Sequence, residues 1–447
     1  MTTALIILGA GMGTRMNSEL PKVLHQIAGA PMLVHAMKSG GALDPAHTVI
    51  VAGHGADLVE AAAKAYDPDV TVAIQSEQLG TAHAVSQARS ALADFDGDAL
   101  VLYGDTPFIR AETLAAMTAA RLTHDIVVLG FEAADAGRYG RLILKDDQLD
   151  RIVEFKDATD AERGVNLCNS GVVAANAATL FDLIDAVGNE NAASEYYLTD
   201  IISIARARGL SATVVRCDEA ETLGINSRSE LAQAEALFQA NARQMAQEDG
   251  VTMIAPETVF FAHDTVIGRD TVIEPNVVFG PDVTIESSTT IRAFSHLEGC
   301  HVSRGSVVGP YARLRPGAEL AENVKVGNFV EIKNAQIAAG AKVNHLSYIG
   351  DATIGARSNI GAGTITCNYD GVFKHHTTIG EDVFIGSNTM LVAPVTVGDA
   401  AMTGSGSVVT RDVPAGDLAV GRAKQENKAG FAVRLFDKLR ALKAKGS

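Results

Sequence analysis

Residues 266–297 read VIGRDTVIEPNVVFGPDVTIESSTTIRAFSHL, and an apolar residue returns at every sixth place: Ile267, Ile273, Phe279, Ile285, Ile291 and Leu297. Neither the 3.6-residue period of a helix nor the two-residue period of a strand produces that spacing. After a five-residue step it resumes at Val302, Val308, Leu314, Leu320, Val326 and Ile332. It continues through Ile337, Val343, Ile349, Ile354 and Ile360, and beyond one interruption through Ile379, Ile385, Leu391 and Val397. Gly, Pro, Asn or Asp stands beside many of these positions, which is the pattern of a hexapeptide β-helix running from about Val251 to Gly421. Each hexad supplies a short strand and a turn, and three walls close a coil. Coils stacked at about 4.8 Å make roughly nine levels and a prism on the order of 45 Å long.

Such a prism is filled by its own aliphatics, so any chemistry belongs on its outside. The interruption, TCNYDGVFKHHTT from Thr366 to Thr378, is the segment expected to leave the wall as a loop.

The first half has a different rhythm. Leu5–Leu8 is a short apolar run that ends in GAGMGTRM, residues 9–16. Glycines at 9, 11 and 13 fit neither the dinucleotide G-x-G-x-x-G nor a Walker A loop. A strand entering a glycine-rich turn nevertheless brings backbone N–H groups towards phosphate, although an ordinary strand-to-helix turn has the same outline. Thr48–Ala52, Val70–Ile74 and Ala99–Tyr103 read as further strands with helical runs between them. That alternation predicts a mostly parallel sheet covered on both faces, with ligands gathered at the strands' carboxyl ends. Gly9–Arg15, QSEQLGTAHA (75–84) and Asp105 would then share one edge.

Composition narrows the function. Lys+Arg number 37 against Asp+Glu 53 in 447 residues, a net charge of −16 that disfavours nucleic acid and anionic membranes. Cys168, Cys217, Cys300 and Cys367 are scattered without a C-x-x-C, which suggests neither a zinc site nor a disulfide framework but reduced thiols in a cytoplasmic protein. No basic leader precedes the short apolar run at the N-terminus, and no stretch reaches the roughly 18 apolar residues of a membrane span, so neither secretion nor membrane insertion is expected.

GAGMGTRM, Leu20-Pro21-Lys22-Val23-Leu24, QSEQLGT, LYGDTP (102–107), Tyr139-Gly140-Arg141, Ile152-Val153-Glu154, Asn169-Ser170-Gly171 and Gly224-Ile225-Asn226 together resemble a sugar-phosphate nucleotidylyltransferase. Joined to a β-helix with RLRPGA (313–318), HLSYIGD (345–351) and GAGTITCNYDG (361–371), nearly the whole chain resembles the bacterial bifunctional N-acetylglucosamine-1-phosphate uridylyltransferase / glucosamine-1-phosphate N-acetyltransferase family. The resemblance implies a Rossmann-like domain over 1–226, a linker helix over 227–250, a left-handed parallel β-helix over 251–422 and a tail over 423–447. It implies a homotrimer, Mg²⁺ as metal, and acetyl-CoA and UTP as co-substrates in making a precursor of peptidoglycan and lipopolysaccharide.

Residue by residue, the resemblance assigns the Gly9-Ala10-Gly11 loop, Arg15 and Lys22 to the triphosphate and Gln75, Gly80 and Thr81 to the uracil. It gives Asp105 and Asn226 to Mg²⁺, and Gly140, Glu154 and Asn169 to the sugar. Glu154 lies in the strand-like run Arg151–Phe155, whose outer face would equally account for a carboxylate. In the second half it implies His345 as the base, Arg315, Lys333, Tyr348, Asn359 and Lys374 around the amino sugar phosphate, and Asn368, Tyr369, Ser387, Ser405 and Arg422 for acetyl-CoA. His345 stands two places after an inward aliphatic, where a turn residue would also fit, and His375 and His376 are rival bases on the loop. Met12 replaces a Lys of some relatives, and Ser405 an Ala.

Ser227–Glu248 reads as a helix with a capping box from Ser227 and Glu230 and an apolar face of Leu231, Ala234, Leu237, Phe238 and Met245. The tail is basic and amphipathic and is expected to cap the last coil or to flank the CoA phosphates. Two rivals remain at this level. One is a single-activity nucleotidylyltransferase with a structural prism; the other is a non-catalytic scaffold with a degenerate nucleotide module.

Overall fold

A computed structural model describes residues 2–11, 13–146 and 148–445; Met12 lies outside the described residues. The chain divides into two compact units, one comprising residues up to 243 with Phe261–His263, the other Gln244–Phe260 with residues from 264 onwards.

In the first unit the apolar run becomes the strand Thr3–Gly9, which is buried almost throughout. Its residues alternate between two cores. Ala4 and Ile6 pack with Val49, Val51 and Val101, whereas Leu5 and Ile7 pack with Ile50, Leu100 and Leu102. A strand buried on both faces needs this unbroken hydrophobicity, which is why the run shows no polar alternation. The sheet order is Ala212–Cys217, Ile126–Glu132, Leu167–Asn176, Asp98–Tyr103, Thr3–Gly9, His47–Ala52, Thr71–Ile74. Leu167–Asn176 runs antiparallel to both its neighbours; the other pairings along this path are parallel. The antiparallel pair Arg141–Lys145 and Gln148–Val153 is attached beside this path.

The chain leaves Thr3–Gly9 towards His47–Ala52 on one side and returns on the other as Asp98–Tyr103. The order therefore reverses at the carboxyl end of Thr3–Gly9, the crevice where ligands bind in such sheets.

The helix Arg228–Glu248 follows. Its capping box forms in part: Ser227 Oγ accepts from Glu230 N at 3.3 Å, but Glu230 Oε2 accepts from Asn226 N (2.6 Å), one residue before the expected donor. Ala234 is buried and Met245 exposed, so the expected apolar face is not covered along its full length.

The second unit is the left-handed parallel β-helix. Ile273, Ile291, Val308, Val326, Val343, Ile360 and Ile385 stack in one wall of ten rungs. Their numbers advance by 18, 17, 18, 17, 17 and 25, so a coil is three hexads, or two hexads and a five-residue side, until the loop enters. The inward residues from Ile273 to Val397 are almost wholly buried; Ile267, in the first coil, is only partly covered. Corners take left-handed backbone at Asp270, Asn276, Asp282 and Asn323, where short polar side chains tolerate it.

The loop is shorter than its sequence suggests. Ile365–Cys367 and Thr377–Ile379 remain on the walls, and only the stretch between them projects. The tail forms the helix Phe431–Lys445, and every described residue from Gly421 onwards is exposed. The expected cap on the last coil is therefore not formed by this helix.

Candidate active sites

At the reversal point of the sheet, Leu8, Ala10, Gly11, Lys22, Gln75, Gln78, Gly80, Thr81, Tyr103, Asp105 and Glu195 are among the residues lining a cavity of about 280 Å³. Gly9 ends the central strand, and Gly104 N donates to Leu8 O (2.9 Å), tying two strand ends together beneath the cavity. Gly13 has φ 60°, and a Cβ there would lie 2.7 Å from Lys22 Cβ, so a glycine permits the approach of the lysine. Arg15 is exposed in the short turn Thr14–Met16 and makes no ion pair among the described residues.

Lys22 is the centre of this arrangement. Its ammonium donates to Asp105 Oδ2 and to Asn226 Oδ1, the latter at 3.0 Å, with Lys22 12% and Asp105 18% exposed in their side chains. Ile225 N donates to Asp105 O (3.0 Å), drawing the 224–226 loop against the strand end. Asn226 Nδ2 donates to Gly224 O (3.3 Å), which leaves Oδ1 for the shared cation. Two hard oxygen donors thus already face one positive charge. That donor set fits Mg²⁺, which takes one or two protein oxygens and completes its shell with water and phosphate.

Gln75 is buried; its Nε2 donates to Gly80 O (3.2 Å) and lies 3.0 Å from His83 Nδ1. Thr81 Oγ1 accepts from Leu198 N (2.9 Å). Beyond Tyr103, Asn169 N donates to Gly140 O (2.8 Å), and a Cβ on Gly140 would lie 3.4 Å from Glu154 Oε1. These three residues therefore meet. Glu154 stands just past the end of Gln148–Val153, not on the outer face of a strand, and accepts from Thr199 Oγ1 (3.2 Å). Burial pushes its carboxyl above the ordinary range; the Thr199 hydroxyl opposes this, and Asp200 and Asp157 add to it.

On the prism, three cations crowd together. Lys333 is lowered from the ordinary lysine range by the adjacent Lys374 ammonium first and by Arg315 next. Arg315 Nη1 donates to Glu331 Oε1 (2.7 Å). Asp351 lies beside them, accepting from Asn334 Nδ2 (2.6 Å) and from Asn368 Nδ2. Burial works to raise its carboxyl, but the two amides and the Lys374 and Lys333 charges leave it lowered. A Cβ on Gly350 would clash with Tyr348 Oη and sit 2.9 Å from Asn368 Nδ2, so Tyr348, Asn368 and Asp351 are neighbours.

His345 lies across one corner from Tyr348. Its Nδ1 is 2.9 Å from Asn328 Oδ1, one coil earlier. Backbone bonds continue this corner as a column: Gly363 N to His345 O (3.1 Å), Asn388 N to Ala362 O (2.7 Å) and Gly406 N to Ser387 O (2.8 Å). Ser387 and Ser405 are exposed on consecutive coils, and Arg422 Cδ comes within 3.6 Å of a Cβ built on Gly406. Asn359 sits on the His345 wall, paired with Lys342. In the projecting loop Tyr369 is exposed and pairs with Lys374. The rival histidines are engaged there, His375 with Asp370 (2.7 Å) and His376 with Thr353 (3.0 Å).

Tyr103, His83, Thr199, Asp351 and Asn328 had no role in the sequence reading. Tyr103, His83 and Asp351 had a visible signal in their places in LYGDTP, QSEQLGTAHA and HLSYIGD; Asn328 could have been found by counting back one 17-residue coil from His345 (345 − 328).

Residues 5–194 match the MobA-like NTP transferase domain, 264–299 the bacterial transferase hexapeptide (six repeats) and 298–397 the GMPPB C-terminal domain. "Bifunctional protein GlmU" of Ruegeria sp. (strain TM1040) is 68% identical over 444 residues, covering 99% of both chains. The protein of that name from Roseobacter denitrificans is 67% identical over 445 residues, 100% of this chain and 99% of its own. That from Ruegeria pomeroyi is 70% identical over 444 residues, 99% of each. With likeness at 67–70% along its entire length, across both the sheet unit and the prism, the chain belongs to the bifunctional GlmU family.

Proposed function

We propose that uridylyl transfer takes place in the cavity at the sheet's carboxyl edge and acetyl transfer along the prism corner, on the residues described above. The enzyme makes UDP-N-acetylglucosamine in two steps, acetylating glucosamine-1-phosphate and then joining the product to UMP from UTP. Neither the single-activity nor the scaffold reading survives membership of this family.

In uridylyl transfer, a phosphate oxygen of N-acetylglucosamine-1-phosphate attacks the α-phosphorus of UTP, and the bond to the β-phosphate oxygen breaks to release pyrophosphate. No protein nucleophile is required, so positioning and charge neutralisation carry the reaction. The observation that carries this reading is Lys22 held between Asp105 and Asn226 inside the cavity. Lys22 and Arg15 would turn to the phosphates, the Gly9-Ala10-Gly11 backbone would receive them, and Gln75, Gly80 and Thr81 would hold the uracil. Gly140, Glu154 and Asn169 would receive the sugar. Asp105 and Asn226 would hold Mg²⁺, which when bound would supply charge neutralisation on the phosphates.

In acetyl transfer, the amine attacks the thioester carbonyl, a C–N bond forms and the C–S bond breaks. The ammonium form loses two protons overall, one ending on the CoA sulfur and one in solvent. His345 Nε2 is the proposed first acceptor. The Arg315–Lys333–Lys374 cluster, set in a chain of net charge −16, supports a sugar phosphate beside it. Tyr348 and Asn359 would complete that pocket. Asn368, Tyr369, Ser387, Ser405 and Arg422 would lay acetyl-CoA along the column that ends at His345.

A prism corner is convex and cannot enclose a substrate alone, so we infer that neighbouring chains of a homotrimer complete this site. Phe294, Tyr311 and Phe329 support it: on consecutive coils they stack at 4.9 and 5.2 Å between ring centroids, all exposed and all with left-handed φ. Bulky side chains in that conformation are costly, and burial between copies would offset the cost. Among the described residues no helix is long and apolar enough to cross a membrane. Together with four unpaired cysteines, that supports a cytoplasmic location.

The test is reciprocal. Pyrophosphate release and CoA thiol release are measured on Lys22→Ala and His345→Ala. Each variant should lose its own reaction by about 100-fold or more and keep the other. Loss of both reactions in either variant, or of neither, defeats the assignment.

A further inference from the structure

We propose that Asn328 fixes the working tautomer of His345: its Oδ1 accepts the Nδ1–H, leaving the Nε2 lone pair to take the proton from the amino sugar. This rests on the reading of His345 as the base. The two residues are opposite one another in neighbouring rungs, Lys325–Asn328 and Lys342–His345, with Nδ1 and Oδ1 2.9 Å apart. No hydrogen bond is made at Nε2 among the described residues.

The backbone on both sides is held. Leu346 N donates to Asn328 O (3.1 Å), Gly363 N donates to His345 O (3.1 Å), and Ser347 Oγ donates to the same carbonyl (2.8 Å). Gly327 contributes to the register. A Cβ at that position would collide with Asn344 O, so only a residue without one lets the rungs approach there and brings Asn328 level with His345.

A neutral imidazole carries one N–H, and a fixed acceptor on the Nδ1 side selects the form whose Nε2 is free. An amide oxygen does so without a full negative charge, so it orients the ring without strongly favouring the imidazolium. Lys325 and Lys342 are the only charged residues on these two rungs, and Asn359–Ile360 above them carries none. No carboxylate on these rungs performs the role in place of Asn328.

Acetyl-transfer rates across pH would be compared for the native protein, Asn328→Leu, Asn328→Asp, His345→Ala and the His345→Ala/Asn328→Leu double variant, with heat-unfolding midpoints as a check on folding. Asn328→Leu should lower kcat about tenfold or more and leave both KM values within about twofold. Asn328→Asp, which still accepts from Nδ1, should recover most of kcat and displace the acidic limb of the profile to higher pH, because a carboxylate favours the charged ring. In the His345→Ala background Asn328→Leu should add nothing. Unchanged kcat in Asn328→Leu, an Asp variant no better than Leu, or a further loss in the double variant would overturn the assignment. Full activity in His345→Ala would instead overturn the base itself. If Asn328→Leu does not fold, Asn328→Asp decides by the presence or absence of the displaced limb.

Discussion

The two units assemble chemistry by opposite geometries. In the sheet unit, Lys22 meets Asp105 and Asn226 across 83 and 204 positions of chain, and loops at the strand ends wall in a cavity. In the prism, the interior is filled by stacked aliphatics and the polar groups recur on the outside at one-coil intervals, as Asn328 and His345 do. The first arrangement is concave and self-sufficient. The second orders a column of groups with high regularity but is convex, so it positions a substrate without surrounding it. The regularity that makes the prism rigid is what leaves its site open.

The sharpest way to break this contrast is to separate the copies of the proposed homotrimer. Replacing Tyr311 and Phe329 with Glu puts two carboxylates into the exposed aromatic stack. The expected result is a monomer by light scattering, with CoA thiol release reduced about 100-fold or more and pyrophosphate release within about twofold of the native rate. A monomer that still transfers acetyl at full rate would show the prism site to be self-sufficient and remove the contrast.

A smaller effect is expected from within the prism cluster. In Lys374→Met the sugar phosphate would lose one of the three cations proposed to hold it, and KM for glucosamine-1-phosphate should rise about tenfold while kcat changes less. The sign of the pH dependence follows from Lys333, whose proton is weakened chiefly by Lys374. Without that ammonium, Lys333 keeps its charge to higher pH. The alkaline rise in KM should therefore begin later in the variant than in the native enzyme. An earlier rise would mean that the lysines are not neighbours in solution.

The same geometric difference decides how much could be read in advance. The prism was legible because each inward aliphatic announces its own coil, and the backbone repeats the announcement many times over. The exceptions lie at its margins: Ile267 in the first coil, the loop whose two ends stay on the walls, and the exposed tail helix. The sheet was legible as alternating strands, but its site needed motif resemblance, because nothing local in Lys22 or Asn226 says that they meet. Residues that act through others stayed hidden in both units. Thr199 reaches Glu154 across 45 positions, and Asp351 matters through the amide of Asn368. The shift of the Glu230 contact from Ser227 to Asn226 likewise belongs to the tertiary fold, since it secures the loop that carries Asn226.

The smallest expected effect tests the enclosure of the sheet site itself. Glu154 is raised above the ordinary carboxyl range chiefly by burial, despite the Thr199 hydroxyl. Between the unfolded value and that elevated value, the folded chain binds more protons than the unfolded one. Stability from this residue is therefore fully present below the window and is lost as pH rises through it. Above the window the native protein carries a half-buried carboxylate that Glu154→Gln would remove, while the amide oxygen can still accept from Thr199. The variant should melt about 1–3 °C higher than the native protein near neutral pH and show no difference at pH values below the window. Its KM for N-acetylglucosamine-1-phosphate should rise, since an amide accepts sugar hydroxyls less strongly than a carboxylate does. A variant that melts lower at neutral pH would mean that the charged form is favoured in the fold. The sugar end would then be open to water like the prism corner, and the enclosure that separates the two designs would be confined to the nucleotide cavity.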